Sequence, residues 1–389
     1  MTPWVREGIP LHRWLIWVFV WVVLRLTLAS VLRIKFKGQE RIPKSGGAMM
    51  LANHTTLWDP LMCFWGVNRP PHGIGSEQVF RIPVVGWVLR QLNSVPYAKG
   101  AKDGAAVREL VAAFEGGGVI GMFPEGLRSW TGEPLPIKRG TGRLVKSLQA
   151  PIIFCRVSTG FLQHPRWAKW PRLVPWRVEY ESIPFDPNWS VDDINEVIAE
   201  GLKIDPETVE MPKGSWGFRL AEGLPEFLWA CPHCLEIEGL EVDPADKNCV
   251  ACSGCQRRWR LDLRCTMQAE SADTSTFSVA AARRLLEQIP SDTALSCEHM
   301  EVSRVQRGQL SQEAVAAGKA RTTVDGVEVV KDGEVVWSMR FEDMLVVLLQ
   351  VRNKLQIRVE GANYQLDPQG QSTLRWHHFL GHRTGGRAQ

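Results

Sequence analysis

The chain lacks the sequence signatures of a covalent nucleophile and of a nucleotide site. Its 389 residues contain no G-x-S-x-G nucleophile motif, no nucleotide-binding loop and no dinucleotide fingerprint. Internal repeats are also missing, so a repeat array is excluded. Without a nucleophile motif, a catalytic base in this chain would instead activate a hydroxyl group of the substrate.

A strong overall charge is missing as well, but the charge is unevenly spread. The net charge is +4, while residues 1–100 contain twelve Lys and Arg against four Asp and Glu. A basic N-terminal region favours binding to anionic lipid headgroups and to phosphorylated substrates. Because tryptophans and aliphatic residues are interleaved with these cations, a bilayer surface is favoured over a nucleic acid as the partner.

The N-terminus lacks an unbroken apolar run of bilayer length. The run from Trp14 to Leu24 is interrupted by Arg25 and resumes to Leu32, and an arginine near the middle of a span costs a few kcal/mol. No small-residue cleavage site follows, which argues against a signal peptide. We expect residues 1–38 to form a membrane-associated helical segment embedded in one leaflet, with a spanning helix as the alternative.

A histidine and an aspartate five positions apart form the first candidate site. His54 and Asp59 lie within Asn53-His54-Thr55-Thr56-Leu57-Trp58-Asp59. A carboxylate at this distance can hydrogen-bond one imidazole nitrogen, which fixes the tautomer and leaves the other nitrogen to act as a general base. Taken alone, the pair favours a histidine hydrogen-bonded in a turn over a catalytic base.

A second block lies about seventy residues further along the chain. The apolar stretch 118–122 predicts a short buried strand, and Phe123-Pro124-Glu125-Gly126-Leu127-Arg128-Ser129 follows it. The ends of parallel strands are where α/β folds place ligand contacts. The planar fork of Arg128 suits a phosphate, and Lys138 adds further positive charge nearby.

Together the two blocks resemble those of the glycerophospholipid acyltransferases, typified by 1-acylglycerol-3-phosphate acyltransferase. That family carries an N-H-x4-D block and an F-P-E-G-x-R-S block in this order. The segments 80–86 and 149–153 resemble two further blocks, so the resemblance covers roughly residues 10–205. Two positions depart from the family pattern: Lys99 stands where an arginine is usual, and Leu127 where a threonine is usual. These departures bear on the acyl acceptor more than on the chemistry.

The resemblance implies direct acyl transfer without a covalent acyl-enzyme. His54, oriented by Asp59, would deprotonate a hydroxyl of the acceptor, which then attacks an acyl thioester of CoA or acyl-carrier protein. Backbone N–H groups near Gly126 are candidate donors to the oxyanion. The substrate-binding set, which includes residues for the acceptor phosphate, is Glu125, Gly126, Arg128, Lys99 and Lys138. For Glu125 we favour the role of orienting Arg128, because a carboxylate beside a phosphate would repel it.

Four cysteines with a regular spacing predict a second kind of site. Cys231, Cys234, Cys252 and Cys255 form C-x2-C-x17-C-x2-C, which indicates a structural zinc ribbon. Cys249 offers a rival register, and we prefer Cys252 and Cys255 because Gly254 suits a tight turn. The arginines that follow are consistent with a solvated face, so the ribbon is expected to be structural or to dock a protein.

The remaining sequence predicts a mainly-β C-terminal region. The Asp332-Gly333 pair between two apolar runs is a strong hairpin signal, and Ser372 is expected to cap a final helix. The predicted architecture is therefore an α/β acyltransferase domain, with a mixed sheet wrapped by helices, followed by a zinc ribbon and a β domain. The predicted bounds are 1–38 for the membrane segment, 39–215 for the acyltransferase domain, 216–266 for the ribbon, 267–290 for a linker with a short helix, and 291–389 for a small domain for which a pleckstrin-homology-like barrel is considered.

These features predict an acyltransferase at the cytoplasmic face of the cytoplasmic membrane. Its expected acceptor is a lysophospholipid, foremost 1-acylglycerol 3-phosphate, and its expected donor is acyl-CoA or acyl-carrier protein. Membrane lipids and a protein bound through the ribbon or the β domain are the other expected partners. Two alternatives stay open. One is an acyltransferase with another acceptor, such as glycerol 3-phosphate or an amino-acid lipid. The other is a non-catalytic lipid-binding scaffold.

Overall fold

The chain divides into two compact units. The first contains residues 1–218 and 263–265, and the second contains residues 219–262 and 266–389. The computed structural model describes residues 11–12, 14–16, 18–19, 22, 32–67, 69, 71–80, 83–91, 93–97, 104–270, 275–289, 294–305, 312–349 and 354–385.

A seven-stranded mixed sheet forms the centre of the first unit, as the sequence predicts. The strand order is β1-β7-β6-β2-β5-β3-β4. Neighbouring strands are parallel except at β6–β7, which pair antiparallel. The strands are β1 (Lys35–Lys37), β2 (Ala48–Ala52), β3 (His72–Ser76), β4 (Val95–Tyr97), β5 (Val119–Met122), β6 (Ile152–Val157) and β7 (Arg177–Ile183).

Helices cover both faces of this sheet. Alternate residues of its central strands point to opposite faces, and the residues on both faces are buried. Ala48, Met50 and Ala52 pack in one buried cluster, while Met49 and Leu51 pack in another. Every residue of β2 is buried, as expected for a strand with helices on both faces. The helices are α1 (Asp59–Trp65), α2 (Glu77–Phe80), α3 (Pro83–Gln91), α4 (Gly104–Glu115), α5 (Arg139–Leu148), α6 (Gly160–Gln163) and α7 (Val191–Gly201).

The predicted membrane-associated segment, residues 1–38, lies for the most part outside the described residues. Positions 11, 12, 14–16, 18, 19 and 22 are helical. No helix in the described part of the chain is both long and apolar enough to cross a bilayer.

The second unit begins with a short helix, α8 (Leu224–Phe227), and a five-stranded antiparallel sheet in the order β12-β11-β10-β9-β8. Its strands are β8 (Leu240–Val242), β9 (Cys249–Cys252), β10 (Arg258–Leu261), β11 (Thr266–Ala269) and β12 (Thr276–Ser278), and helix α9 (Val279–Leu286) follows. The segment predicted to be a linker therefore contributes two strands of this sheet. Polar residues made it resemble a linker, but β11 also buries Met267 completely.

A second seven-stranded sheet, all antiparallel, completes this unit in the order β16-β15-β14-β13-β19-β18-β17. Asp332 and Gly333 both have positive φ at the turn between β15 and β16, as a two-residue hairpin requires. Ser372 caps the last helix by accepting a hydrogen bond from the Arg375 N–H. The elements are β13 (Ser296–Val305), β14 (Gln312–Thr322), β15 (Gly326–Lys331), β16 (Glu334–Arg340), β17 (Val346–Leu349), β18 (Leu355–Val359), β19 (Ala362–Pro368) and α10 (Thr373–Arg383).

Candidate active site and cysteine cluster

The two predicted blocks meet at one edge of the mixed sheet. Strands β2 and β5 are parallel neighbours, so their carboxyl ends lie side by side, and the segments that follow them start at the same edge. Asn53 fixes this edge from the other side. Its amide donates to the carbonyl oxygen of Val157 (3.3 Å) and accepts from the Val157 N–H (2.8 Å), which joins the end of β2 to the end of β6.

His54 and Asp59 are hydrogen-bonded to each other. The distance from His54 Nδ1 to Asp59 Oδ2 is 3.0 Å, and the Asp59 side chain is fully buried. Asp59 is itself held by the N–H groups of Thr55 (2.5 Å) and Thr56 (2.7 Å) and by the Thr56 hydroxyl (2.8 Å). A carboxylate with this many donors cannot turn away, so it holds the imidazole in one orientation.

The second block packs directly on the histidine. The ring of Phe123 stacks on His54 with the ring centroids 4.0 Å apart. The Ser129 N–H donates to the carbonyl oxygen of His54 at 2.8 Å. The Ser129 hydroxyl closes the loop around residues 129–133, because it donates to the Glu133 carbonyl oxygen and accepts from the Gly132 N–H. The Phe-Pro-Glu-Gly-Leu-Arg-Ser block is therefore fastened to His54 at both ends.

Glu125 is buried beside this pair. Burial raises the pKa of Glu125 to about 8, although backbone hydrogen bonds from Leu135 and His54 lower it. Its carboxyl group is therefore mostly uncharged at neutral pH. The Leu135 N–H donates to Glu125 Oε2 at 3.4 Å. Within the described residues Glu125 makes no hydrogen bond or ion pair with Arg128, so the structure lacks the contact by which Glu125 was expected to orient that arginine.

Arg128 lies within electrostatic range of Asp59. Burial lowers the pKa of the Arg128 guanidinium, and the nearby charge of Asp59 partly offsets this effect. Among the described side chains, none forms a hydrogen bond or an ion pair with the guanidinium. Arg128 is thus a partly desolvated cation close to the His54–Asp59 pair.

Gly126 and Lys138 contact each other at the same edge. Gly126 has a φ of +74°, and a Cβ atom at that position would lie 3.4 Å from Lys138 Cε. The Gly126 N–H already donates to the Phe123 carbonyl oxygen (3.0 Å), so it belongs to the turn and is not available as an oxyanion donor. The Lys138 N–H donates to the Pro124 carbonyl oxygen at 2.9 Å. Lys99, the remaining member of the predicted set, lies outside the described residues.

Two positioning residues escaped the sequence prediction. Thr56 binds Asp59 through both its N–H and its hydroxyl, and Ser129 ties its own block to His54. The contact between Thr56 and Asp59 spans only three positions, so it is a local arrangement of the chain. The contact between Ser129 and His54 spans 75 positions, and nothing in the spacing indicated it.

The four predicted cysteines converge in the second unit. The sulfur atoms of Cys231, Cys234, Cys252 and Cys255 all lie within 4.8 Å of one another. The Sγ–Sγ distances are 3.9 Å for the pair Cys231 and Cys255, and 3.6 Å for the pair Cys234 and Cys252. Bonds of about 2.3 Å from sulfur to a tetrahedral Zn²⁺ place the sulfurs about 3.8 Å apart. The four residues therefore have the spacing that a tetrahedral metal ion requires.

The two cysteine pairs lie on matching turns. The Leu235 N–H donates to the Cys231 carbonyl oxygen, and the Gln256 N–H donates to the Cys252 carbonyl oxygen, each at 2.9 Å. Leu235 and Gln256 both have positive φ, so the left-handed residue follows each pair. Gly254, which the sequence suggested for the tight turn, has no positive φ.

Cys249 does not join the cluster. Its sulfur atom instead contacts Asp246 Oδ2 at 3.6 Å and Glu270 Oε1 at 3.8 Å. The acids around this strand also pair with arginines of the ribbon: Arg258 with Asp243 and Glu270, and Arg260 with Asp246 and Glu270. These arginines are thus neutralised locally.

Comparison with known proteins agrees with the first site. Residues 33–158 match the family model described as Acyltransferase. The 1-acyl-sn-glycerol-3-phosphate acyltransferase of Borreliella burgdorferi is 30% identical over 122 residues, which cover 31% of this chain and 48% of that protein. The enzyme of the same name from Limnanthes douglasii is 27% identical over 172 residues, covering 42% and 59%. The one from Bacillus subtilis is 23% identical over 123 residues, covering 31% and 60%.

The chain spans about half to three fifths of the length of these curated relatives. Among solved structures, the 1-acyl-sn-glycerophosphate acyltransferase PlsC from Thermotoga maritima aligns with a TM-score of 0.38 at 23% identity, covering 44% of this chain and 70% of that one. Residues 33–158 therefore carry an Acyltransferase domain match, and the curated relatives that align with this region are 1-acyl-sn-glycerol-3-phosphate acyltransferases.

Proposed function

We propose that the chain transfers a fatty acyl group from an acyl thioester to the hydroxyl group of a lysophospholipid, foremost 1-acylglycerol 3-phosphate. The observation that carries the proposal is the partly exposed His54 held by the buried Asp59 and packed against the Phe123–Ser129 loop at the carboxyl ends of two parallel strands. The names of the matched relatives support this acceptor. The thioester is carried by CoA or by acyl-carrier protein.

In this mechanism the imidazole is the general base. His54 Nδ1 stays bound to Asp59, and Nε2 takes the proton from the acceptor hydroxyl. The resulting alkoxide attacks the thioester carbon. When the tetrahedral intermediate collapses, the thiolate leaves and receives the proton from the imidazolium. Asp59 stabilises the imidazolium because it remains a carboxylate with four donors around it. No acyl-enzyme forms at any step.

Cationic side chains at the same edge are suited to the acceptor phosphate. Arg128 is partly desolvated and has no carboxylate partner in the described part of the chain, so a phosphate would supply the missing counter-charge. Lys138 lies against Gly126 of the same loop, and Lys99 remains a predicted third cation. Because Glu125 is uncharged at neutral pH, it would not repel a phosphate and can bind an acceptor hydroxyl.

We infer that the four-cysteine cluster binds a structural Zn²⁺. Four thiolates fill the coordination sphere of a tetrahedral ion, which leaves no position for a substrate. The ion would hold the two turns together at the start of the second unit. Because Arg258 and Arg260 are ion-paired with nearby acids, the ribbon is better suited to a structural or protein-docking role than to binding nucleic acid.

We also propose that the protein works at the cytoplasmic face of the cytoplasmic membrane. An aromatic patch on the first unit supports contact with a bilayer. Trp170, Trp216 and Phe218 are 41%, 55% and 40% exposed, and their rings lie 5.4–5.8 Å apart. Arg33, which follows the apolar N-terminal segment, donates to the carbonyl oxygens of Leu173 and Gly214 beside this patch. Exposed tryptophan is favoured at the membrane interface.

The second unit has no assigned activity in this proposal. Its larger sheet and closing helix support the pleckstrin-homology-like interpretation, because four strands in a meander are followed by a returning three-strand meander and a C-terminal helix. A protein partner bound through this domain or the ribbon remains a prediction.

The deciding experiment measures acyl transfer by the purified chain. We expect His54→Ala to lower kcat by about 10²- to 10⁴-fold, the usual contribution of a general base. The assay supplies acyl-CoA and acyl-carrier protein in turn. Its acceptors are a panel of lysophospholipids, glycerol 3-phosphate and an amino-acid lipid.

The matched control is His299→Ala, an exposed histidine of the second unit. It should leave kcat unchanged. Transfer by His54→Ala at the wild-type rate would remove the base assignment. If the wild type prefers a different acceptor, the acyl-transfer mechanism stands and that acceptor replaces 1-acylglycerol 3-phosphate as the substrate. If the wild type transfers no acyl group to any acceptor, the lipid-binding scaffold is favoured.

A further inference from the structure

A second half-buried arginine, Arg166, contacts the loop that carries Arg128. Its Nη1 atom donates to the carbonyl oxygen of Arg128 at 2.9 Å. Its Cζ atom lies 4.0 Å from the ring centroid of Trp130. The guanidinium is thus held between a carbonyl group and an indole face, two contacts that fix its plane. Sequence spacing gave no sign of this pairing, because the two arginines are 38 positions apart.

The two guanidinium groups are desolvated and repel each other. Burial and, to a smaller extent, the charge of Arg128 lower the pKa of Arg166 to about 9. Burial lowers the pKa of Arg128 as well. The Nε atom of Arg166 is buried without a hydrogen-bond partner. Two such cations side by side destabilise a protein unless an anion compensates them.

The described residues do not provide that anion. Neither guanidinium has a carboxylate within ion-pair distance in the described part of the chain. Asp59 already accepts hydrogen bonds from Thr55, Thr56 and His54. Glu125 is mostly protonated at neutral pH. A bound anionic ligand would supply the compensating negative charge.

We propose that Arg166 and Arg128 together form a two-guanidinium site for the phosphate monoester of the acyl acceptor. A phosphate has three acceptor oxygens and about two negative charges, which match the planar forks of two arginines. The site lies beside the base, because Ser129, next to Arg128, is hydrogen-bonded to the His54 carbonyl oxygen. The acceptor hydroxyl and its phosphate would then be fixed at neighbouring points. This inference rests on the proposed function for the identity of the ligand.

The test compares Arg166→Met with the wild type on two acceptors, 1-acylglycerol 3-phosphate and the phosphate-free 1-acylglycerol. The readout is the ratio of the two kcat/KM values. We expect Arg166→Met to lower this ratio about 10- to 100-fold, the usual effect of losing a hydrogen bond to a charged group. Arg166→Lys keeps the charge but loses the planar fork and should give an intermediate ratio.

Arg156→Lys is the matched control, because Arg156 is a half-buried arginine of the same unit that pairs with Glu181 at 2.7 Å. Its ratio should equal that of the wild type. An equal loss on both acceptors in Arg166→Met would mean that Arg166 only supports the loop backbone, which overturns the proposal. The proposal would also be overturned if Arg166→Met lost activity with acyl-CoA but not with a phosphate-free acyl thioester. Arg166 would then bind a phosphate of the donor instead of the phosphate of the acceptor.

A binding measurement separates this site from the proposed reaction. Glycerol 3-phosphate is titrated into the His54→Ala chain and into His54→Ala/Arg166→Met, so that no turnover occurs. We expect the second variant to bind at least tenfold more weakly. If the second variant binds more weakly but the wild type transfers no acyl group, the phosphate site stands and the acyltransferase proposal is rejected. If both variants bind glycerol 3-phosphate equally, the phosphate site is rejected. If Arg166→Met does not fold, as judged by circular dichroism, Arg166→Lys replaces it in both measurements.

Discussion

The two candidate sites of this chain are built in opposite ways. The site around His54 is assembled at one edge of a mixed sheet, from segments that follow different strands. It contains two half-buried cations, Arg128 and Arg166, that have no carboxylate partner among the described residues. The cysteine cluster is formed by two matching turns whose four sulfur atoms face one another, so its ligands are complete without any substrate.

From this difference we infer that the first site binds a ligand and that the second stabilises the fold. Partly desolvated cations without partners weaken a fold but strengthen the binding of an anion. Four cysteines around an ion contribute folding free energy and leave no place for a substrate. We therefore expect substitutions at the first site to change activity and substitutions at the second to change stability.

The largest expected effect is on the cysteine cluster. Cys252→Ser removes one ligand of the inferred Zn²⁺, and structural zinc sites contribute on the order of 10 kcal/mol to folding. We expect less than one zinc per chain and early proteolysis within residues 219–389. Elemental analysis and limited proteolysis of the full chain measure both.

Cys249→Ser is the matched control, because Cys249 is equally buried but contacts Asp246 and Glu270 instead of the cluster. It should retain one zinc per chain. The structural role of the cluster would be contradicted if the wild type carried no zinc after purification with metal supplied. It would also be contradicted if Cys252→Ser were as stable as Cys249→Ser.

A smaller effect is expected from Glu125→Gln, and it depends on pH. The pKa of Glu125 is about 8 in the folded state, against an ordinary value of 4.5. Between these values the folded state binds more protons than the unfolded state, so the wild type loses stability as the pH rises through this window. Glutamine cannot ionise. The free energy of unfolding of Glu125→Gln relative to the wild type should therefore increase by a few kcal/mol from pH 5 to pH 9.

Glu109→Gln, at an exposed position of α4, provides the comparison and should show no such trend. A flat difference between Glu125→Gln and the wild type would mean that Glu125 is ionised throughout. In that case its carboxylate would compete with the acceptor phosphate for Arg128.

The smallest effect on the fold is expected from the aromatic patch. Trp216→Ser/Phe218→Ser removes two exposed rings and should leave the free energy of unfolding nearly unchanged. Binding to vesicles that contain anionic phospholipid should weaken at least about tenfold, because two apolar side chains no longer enter the interface. Vesicle sedimentation measures this loss.

Val324→Ser removes an exposed apolar residue of the second unit (84% exposed) and serves as the control. Equal vesicle binding by both variants and the wild type would exclude the patch as the bilayer contact.

Much of the fold followed from local patterns in the sequence. The buried strand predicted over 118–122 is β5 (Val119–Met122), and the Asp332-Gly333 hairpin joins β15 to β16. The region 267–290, predicted as a linker with a short helix, contains that helix as α9 (Val279–Leu286), but the residues before it form strands instead of a linker. Strands β11 and β12 are short and polar, and only their pairing with β10 and with each other makes them part of a sheet. Such pairing depends on distant residues, which a local pattern cannot reveal.

The sequence by itself determined the residue types and spacing of both sites, because H-x4-D and C-x2-C are local arrangements that one turn of chain can realise. Tertiary structure alone decided which side chains lie beside them. Parallel pairing of β2 with β5 brought the Phe123–Ser129 loop onto His54, and the chain after α6 placed Arg166 against Arg128. Burial then shifted the pKa values of Glu125 and Arg166. Desolvation depends on everything packed around a group, so no spacing rule could have given it.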